Sequence, residues 1–305
     1  MRTRSSWRGE AARAFPAARF DEPMRRHTTF KIGGPADCYV EIPDERGLRR
    51  AVRFSRANGP PLFLLGWGSK LLVADAGIRG LVVRLVGAFE RAAFLSGGRL
   101  RAGAGARLPK LVSLAAREGF GGLEPLAGIP GTVGGALIMN AGTPQGSIGG
   151  LVRCVRVLDP ATGKARTLHR GQVRFGYRTS SLGPRIVVGC ELQLKACAKD
   201  DIITHIREYQ RRRSLTQPIH SHNIGSIFKN PPGLPAAELI DDCGLKGAVC
   251  GGARVSTKHA NFIENFSQAS SADVLELISR IRDRVRAAHG VDLELEMRVV
   301  GDASV

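Results

Sequence analysis

The chain has 305 residues, with 45 Lys or Arg against 27 Asp or Glu and a formal net charge of +18. Hydrophobic residues make up 43% and charged residues 24%, which excludes a wholly disordered chain or a disulfide miniprotein and allows two or three packed units. No stretch of about 18 uncharged apolar residues occurs, so no membrane-spanning helix is expected. The basic residues are scattered and do not alternate with aromatic residues, which argues against nucleic-acid binding.

The first twenty residues are rich in arginine and lack the apolar stretch of a secretory signal. We therefore predict that residues 1–20 form a flexible basic arm and that the protein is cytoplasmic. The cysteines form no C-x-x-C motif and several lie in apolar runs, which indicates free thiols in a reducing compartment and no metal site. They are Cys38, Cys154, Cys190, Cys197, Cys243 and Cys250.

The rest of the chain is predicted to alternate between short strands and helices. Segments 47–59 and 108–119 have helical composition, and each ends at a glycine, a common helix stop. Segment 271–289 is the clearest helix, because apolar residues recur along one face, and Ser270 with Asp273 predicts a capping box at its start. Strands are predicted at 38–42, 61–65, 81–85, 99–103, 151–159, 165–169, 185–194 and 293–301, and a further helix at 200–214. A change in composition predicts a domain boundary near 196–199.

Two glycine-rich loops are the strongest functional signal in the residues themselves. GWGSK (66–70) follows a predicted strand, and such a turn can aim backbone N–H groups at an anion, although it is neither a Walker loop nor a dinucleotide fingerprint. GIPGTVGG (128–135) lacks side chains where a backbone can approach a flat or phosphorylated ligand. Taken separately, each loop can equally be an ordinary turn or a helix-packing turn. Taken together, they favour an extended cofactor with a pyrophosphate.

Seven segments follow one another along the chain: HTTFKIGGPAD (27–37), LGWGSKLLVADAGIRG (65–80), LEPLAGIPGTVGGALIMNAG (123–142), FGYRTS (175–180), GSIFKNPPG (225–233), GLKGAVCGGARVSTKHANFIEN (244–265) and LELEMRVVG (293–301). In this order they resemble the UDP-N-acetylenolpyruvoylglucosamine reductases, the flavoenzyme family of early peptidoglycan synthesis. The resemblance covers about residues 21–301.

The resemblance implies an α+β fold, with a PCMH-type FAD-binding domain at 21–198, in subdomains of about 21–92 and 93–198, and a substrate-binding domain at 199–305. Lysine stands at position 70 where the family usually has asparagine, and as a point charge it could still serve the pyrophosphate. The chain resembles the shorter family type, without the loop that carries a substrate-binding tyrosine. The residues implied to bind FAD are Gly66, Gly68, Ser69, Lys70, Leu71, Gly128, Ile129, Pro130, Gly131, Thr132, Gly134, Gly135, Asn140 and Ala141.

The family reaction reduces the enolpyruvyl group of UDP-N-acetylglucosamine enolpyruvate. NADPH gives a hydride to FAD, and the reduced flavin gives a hydride to the terminal carbon of the double bond. Negative charge on the neighbouring carbon then needs fixed cations and a proton. The resemblance assigns the proton to Ser226, carboxylate stabilisation to Arg178 and an active-site carboxylate to Glu296. It also brings Lys229 and Asn230 to anionic groups of the substrate.

Each of these residues also has a plainer interpretation. Ser226 after a glycine is typical of a turn, Arg178 of a strand end, and Lys229 of a solvated surface. Glu294 is the natural comparison for Glu296. Alternate residues of a strand point the same way, so periodicity cannot choose between them and the motif alone decides.

Other chemistry and other functions have weaker support. His220 and His222 form H-x-H without an evident third metal ligand, and His259 is expected to be a structural hydrogen-bonding group. A different PCMH-type oxidase or dehydrogenase is disfavoured by the GSIFKNP and LELEM segments. A basic nucleic-acid-binding protein without catalysis would be excluded by bound flavin. The expected partners are therefore UDP-N-acetylglucosamine enolpyruvate and NADPH, in a monomer or weak oligomer.

Overall fold

The structure, a computed structural model, describes the backbone of residues 4–301 and the side chains of residues 7–301. Its α-helices are α1 (Arg4–Ala14), α2 (Glu45–Asn58), α3 (Leu108–Glu118), α4 (Val133–Met139), α5 (Ile148–Leu151), α6 (Lys199–Thr216), α7 (Ala236–Asp242) and α8 (Ser271–His289). Its strands are β1 (Arg19–Pro23), β2 (Pro35–Ile42), β3 (Leu62–Leu65), β4 (Leu71–Val73), β5 (Ile78–Leu85), β6 (Ala92–Leu95), β7 (Arg99–Gly103), β8 (Phe120–Gly121), β9 (Gly142–Thr143), β10 (Gly146–Ser147), β11 (Val152–Leu158), β12 (Ala165–His169), β13 (Phe175–Gly176), β14 (Thr179–Ser180), β15 (Ile186–Gln193), β16 (Lys195–Ala196), β17 (Val249–Cys250), β18 (Ala253–Val255), β19 (Ile263–Asn265) and β20 (Arg298–Val300).

Local capping chemistry sets the ends of the main helices. The carboxylate of Asp44 accepts the N–H of Gly47 at 2.7 Å at the start of α2. Ser270 and Asp273 form the predicted capping box at the start of α8. Glycines in the left-handed region, Gly59 and Gly290, end α2 and α8 as predicted. The helices expected at 47–59, 108–119 and 271–289 are thus confirmed, and the mixture of helices and mainly antiparallel strands is the expected α+β class.

The N-terminal arm differs from its prediction. Arg4–Ala14 is helix α1, and Trp7, Ala11 and Phe15 are buried. The ring of Phe15 meets that of Phe54 edge to face, with centroids 5.5 Å apart. The expectation of a flexible arm is wrong for the described part, because apolar residues at a spacing of four form a narrow stripe along one side of a helix. Residues 1–3 lie outside the described residues.

The chain divides into two compact units, each built from separated segments. Unit 1 comprises residues 1–19, 38–67 and 80–212. Unit 2 comprises residues 20–37, 68–79 and 213–305. Two short segments of the range predicted as one FAD-binding domain therefore belong to unit 2. The predicted assignment of FAD to 21–198 and substrate to 199–305 stays a prediction.

Unit 1 contains a five-stranded antiparallel sheet in the order β12-β11-β15-β7-β6. The strands β3 and β5 pair in parallel, with Leu65 opposite Arg84. The chain leaves β3 directly into the first glycine loop, so the strand end sets the position of that loop.

Unit 2 packs α7, α8 and the antiparallel sheet β17-β18-β19 around one hydrophobic core. Phe30, Phe228, Ile240 and Ile278 are among its buried members. The strands β4 and β20 pair in parallel, with Leu71 opposite Arg298.

The last predicted strand is shorter than expected. Only Arg298–Val300 is a strand, whereas 293–301 was predicted. Glu296 and Met297 are consecutive and both buried, an arrangement that the two-residue alternation of a regular strand does not give. No helix within residues 4–301 combines the length and the apolar character that crossing a bilayer requires.

Candidate active site

The first glycine loop approaches the second loop inside unit 1. A Cβ atom on Gly66 would stand 2.9 Å from Oγ1 of Thr132, so a larger residue there would have to displace this neighbour. The guanidinium of Arg107 lies 4.2 Å from the centre of the Trp67 ring. Arg107 also forms an isolated antiparallel bridge with Thr132. A fixed cation therefore lies where the two glycine loops meet.

The second loop leads into α4 with part of its backbone half-buried. Thr132 caps α4 and its hydroxyl accepts the N–H of Gly135 at 3.4 Å. Within residues 4–301, the N–H groups of Gly131 and Thr132 have no protein acceptor. Peptide donors without side chains in the way, together with the Arg107 guanidinium, fit the pyrophosphate of a dinucleotide cofactor.

Asn140 and Ala141 end α4 and shape the neighbouring backbone. Asn140 has φ 45° and is buried. Its amide nitrogen donates to the carbonyl of Gly176 at 2.8 Å, and its amide oxygen accepts the N–H of Gly149 at 3.0 Å. The N–H of Ala141 donates to the carbonyl of Ala136. The Asn140 amide thus holds the hairpin that carries Arg178, and flavin contacts of these two residues stay a prediction.

Arg178 lies in the two-residue turn between β13 and β14. Its φ of 54° is in the left-handed region, which costs an arginine about 1 kcal/mol. Its Nη1 donates to the carbonyl of Gly142 at 3.0 Å, and its guanidinium lies 5.1 Å from the centre of the Tyr177 ring. The arginine is therefore held by its own hairpin and by β9.

The Ser226 loop is built inside unit 2 by backbone pairing with the LELEM segment. The N–H of Glu296 donates to the carbonyl of Ile227 at 2.8 Å, and the N–H of Lys229 donates to the carbonyl of Glu294 at 2.8 Å. The side chain of Asn261 supports the loop with two hydrogen bonds to the backbone of Phe228, each 2.9 Å. The motif serine and the motif carboxylate are therefore on directly paired segments.

Lys70 joins these two segments. Its Nζ lies 2.7 Å from Oε1 of Glu296 and donates to the carbonyl of Ser226 at 2.8 Å. The Glu296 side chain is 5% exposed and the Lys70 side chain 29% exposed. The ammonium is thus directed at the predicted catalytic carboxylate, whereas the family motif had suggested the flavin pyrophosphate as its target.

The residues around Lys70 are set by close backbone packing. Gly68 has φ 67°, and a Cβ there would stand 2.3 Å from the carbonyl oxygen of His27, so only glycine fits. Leu71 begins β4. The flavin contacts of Gly68, Ser69 and Leu71 stay predictions.

Glu294 and Lys229 form a second pair on the same two segments. Their N–O distance is 2.9 Å, with exposures of 75% for Glu294 and 36% for Lys229. The hydrogen bond from Lys229 lowers the pKa of Glu294 below its ordinary value. The irregular backbone at 293–297 turns Glu296 inward and Glu294 outward, so the expectation that both point the same way is wrong.

Asn230 and the histidines were also candidates. The amide oxygen of Asn230 accepts the N–H of Ala236 at 3.1 Å, at the start of α7. His220 and His222 are exposed, and no group of three metal-ligating residues occurs in the described part of the chain. Nδ1 of His259 lies 3.3 Å from the N–H of Asn261, a structural contact as expected, and burial lowers its pKa.

A pocket of about 710 Å³ opens in unit 2, lined among others by Arg25, Lys31, His222 and Phe266. None of the predicted site residues lines it. The six cysteines, all in the described part of the chain, form no disulfide bond; Cys38 and Cys190 are buried and Cys197 is exposed.

Comparisons with known proteins identify the family of the chain. A family model described as FAD binding domain matches residues 36–169, and one described as the C-terminal domain of UDP-N-acetylenolpyruvoylglucosamine reductase matches residues 217–300. The UDP-N-acetylenolpyruvoylglucosamine reductase of Moorella thermoacetica is 46% identical over 92% of this chain and 93% of its own. The chain belongs to the UDP-N-acetylenolpyruvoylglucosamine reductase family. Like that family, it is an FAD-dependent oxidoreductase of peptidoglycan precursor synthesis.

Two further relatives cover nearly the whole reductase chain. The Geobacter metallireducens UDP-N-acetylenolpyruvoylglucosamine reductase is 41% identical over 99% of this chain and 97% of its own. The crystal structure of the Thermus caldophilus enzyme superposes with a TM-score of 0.80, at 40% identity, over 92% of this chain and 97% of its own. The α+β fold, with an FAD-binding domain and a reductase C-terminal domain, is therefore confirmed.

Two features of this reductase site escaped the sequence reasoning. Arg107 was not a candidate, because it is distant from Trp67 in the sequence and approaches the tryptophan ring only in the fold. Its one available signal was the tryptophan between two glycines, because a guanidinium can bind over a tryptophan ring. The pairing of Lys70 with Glu296 joins residues far apart in sequence and had no local signal.

Proposed function

We propose that this reductase uses NADPH and FAD to convert UDP-N-acetylglucosamine enolpyruvate to UDP-N-acetylmuramate. The observation that carries the proposal is the pairing of the Ser226 loop with the Glu294–Glu296 segment. Ser226 and the buried Glu296 carboxylate belong to these neighbouring segments, and the Lys70 ammonium contacts the Ser226 carbonyl and the Glu296 carboxylate. The names of the relatives support the substrate class.

The residues of unit 1 fit the cofactor. A bound FAD would supply the hydride-transfer chemistry between NADPH and the terminal carbon of the enolpyruvyl double bond. Arg107 and the N–H groups of Gly131 and Thr132 would hold its pyrophosphate. The remaining glycine-loop residues, including Gly66 and Gly128, would allow close approach of the cofactor to the backbone.

The residues of unit 2 supply the proton. The Ser226 hydroxyl would donate its proton to the carbon next to the one that receives the hydride, which completes the saturated lactyl ether. A serine hydroxyl is a weak acid, so its proton transfer depends on position and on nearby charge. Glu296 would orient this donor, and Lys70 keeps the carboxylate in place.

The remaining cations would bind the anionic substrate. Arg178 has the planar donor geometry to pair with the enolpyruvyl carboxylate and to stabilise charge that spreads into it. Lys229 and Asn230 would contact other anionic groups of the substrate. We propose a cytoplasmic location, because the nucleotide-sugar substrate and NADPH are both metabolites of the cytoplasm.

The test separates the two half-reactions in an anaerobic stopped-flow instrument. The flavin is first reduced with NADPH and then mixed with UDP-N-acetylglucosamine enolpyruvate. The wild-type spectrum should bleach and then recover. Ser226→Ala should bleach normally and recover about 10²–10⁴-fold more slowly, because only the proton transfer is lost. Ser221→Ala is the matched control, since it removes a serine of the same loop that bonds only to nearby loop atoms.

Two outcomes would contradict the proposal. Bleaching of the wild type without recovery by this substrate would indicate a flavoprotein with a different acceptor. Equal loss of both half-reactions in Ser226→Ala would remove the proton-donor role.

A further inference from the structure

We infer that Lys70 is a positioning residue for proton transfer, which holds the Glu296 carboxylate and the Ser226 backbone together, and that it does not bind the FAD pyrophosphate. The inference rests on the proposed function, because it assigns Lys70 to the second half-reaction. It changes the role that the glycine-loop motif suggests for this position.

The first argument is where the ammonium points. A lysine ammonium has three donors. One lies 2.7 Å from Glu296 Oε1, and a second is donated to the Ser226 carbonyl at 2.8 Å. Two of the three donors are thus engaged by the Glu296 and Ser226 segments, which fix the ammonium on these segments.

The second argument is burial. The Glu296 side chain is 5% exposed, so water cannot replace the lysine as its partner. A buried carboxylate that loses its cation is left uncompensated, which is much less favourable than breaking a pair at the surface. The local structure therefore keeps Lys70 on Glu296.

The third argument is the backbone. The N–H of Arg298 donates to the Lys70 carbonyl at 3.0 Å, and β4 pairs with β20 directly after these residues. Main chain and side chain of Lys70 thus both hold the segment that carries Glu296. Gly225 lies beside the ammonium, and its φ of 76° favours glycine at that position.

The fourth argument is that unit 1 has its own cation for the cofactor. The Arg107 guanidinium lies beside Trp67, and the Arg107 backbone bridges to Thr132 in the second glycine loop. Unit 1 can therefore hold a pyrophosphate without a charge from Lys70.

The test compares Lys70→Met, Lys70→Arg and Arg107→Gln as holoenzymes. Two quantities are measured: the rate of FAD loss on dilution, followed by the rise in flavin fluorescence, and the rates of the two half-reactions. Lys70→Met should slow reoxidation by the enolpyruvyl substrate about 10²-fold, as expected for a misplaced catalytic group. It should leave flavin reduction and FAD loss unchanged. Lys70→Arg should restore most of the reoxidation rate, whereas Arg107→Gln should accelerate FAD loss.

The double variant Lys70→Met/Glu296→Gln completes the test. It removes both charges of the ion pair, so no unpaired carboxylate remains to prevent folding if Lys70→Met alone fails to fold. If Lys70 acts through Glu296, the double variant should reoxidise no more slowly than Glu296→Gln alone. Faster FAD loss in Lys70→Met, matching that of Arg107→Gln, would overturn the inference, as would independent losses in the double variant. Either result leaves the proposed function standing, which fails only if the wild type is not reoxidised by the substrate.

Discussion

Two lysine–glutamate pairs in unit 2 differ in burial far more than in distance. Lys70 and Glu296 lie 2.7 Å apart, and Lys229 and Glu294 lie 2.9 Å apart. Glu296 is 5% exposed, whereas Glu294 is 75% exposed. The two glutamates are only two positions apart in the chain.

The difference shows that burial decides what an ion pair can do. An exposed pair contributes little to stability because water solvates both charges, so Lys229 can leave Glu294 for an anionic ligand. A buried carboxylate that loses its partner costs about 3–5 kcal/mol, so Lys70 stays with Glu296. Lys229 is therefore the more available of the two for an anionic ligand, whereas Lys70 is part of the structure that holds Ser226, the proposed proton donor.

Replacing Glu296 should have the largest effect. Glu296→Gln keeps the shape of the side chain but removes its charge, so the orientation of Ser226 and the contact with Lys70 are both weakened. We expect reoxidation of the reduced flavin by substrate to fall about 10²–10⁴-fold, with flavin reduction unchanged. Stopped-flow absorbance measures both rates. A reoxidation rate equal to that of Glu294→Gln would show that burial does not distinguish the two carboxylates.

Replacing Lys229 should have an intermediate effect that appears in binding. Lys229→Met removes a cation that is only weakly held by Glu294, so an anionic substrate loses one charge-assisted contact. We expect KM for the enolpyruvyl substrate to rise about 10- to 100-fold with kcat nearly unchanged. Steady-state kinetics with saturating NADPH provides the measurement. A fall in kcat at constant KM would place Lys229 with Lys70 instead.

Replacing Glu294 should have the smallest effect, and only a stabilising ion pair would make that effect depend on pH. Lys229 lowers the pKa of Glu294 from its ordinary value of 4.5. Any stability that this pair adds is therefore present above about pH 4.5 and is lost as the pH falls below it. The urea midpoints of wild type and Glu294→Gln should coincide at pH 7 and at pH 3 within error. A clear difference at pH 7 that vanishes at pH 3 would show that the exposed pair is stabilising after all.

Local signals predicted much of the fold. The helix α8 followed from an apolar stripe between the Ser270–Asp273 capping box and Gly290, and α2 ended at Gly59 as expected. These features depend on residues within one or two turns of each other. The tertiary structure therefore keeps the helix starts and ends that these local residues predict.

Predictions failed where packing overrides local pattern. The segment 293–297 has the sequence pattern of a strand, but the consecutive residues Glu296 and Met297 are both buried. The arginine-rich N-terminus has the composition of an arm, yet Trp7 and Phe15 bury one side of α1. In both segments the burial of a few side chains determines the backbone structure more strongly than the average composition of the segment does.

The sequence by itself determined the family, the positions of the glycine loops and the motif residues Ser226, Arg178 and Glu296, because these depend on the order of residue types along the chain. Only the tertiary structure decided that Glu296 is buried and Glu294 exposed, and that Lys70 contacts the carboxylate while Arg107 joins the glycine loops. Burial and long-range charge pairing arise when distant segments pack, and no spacing within one segment encodes them.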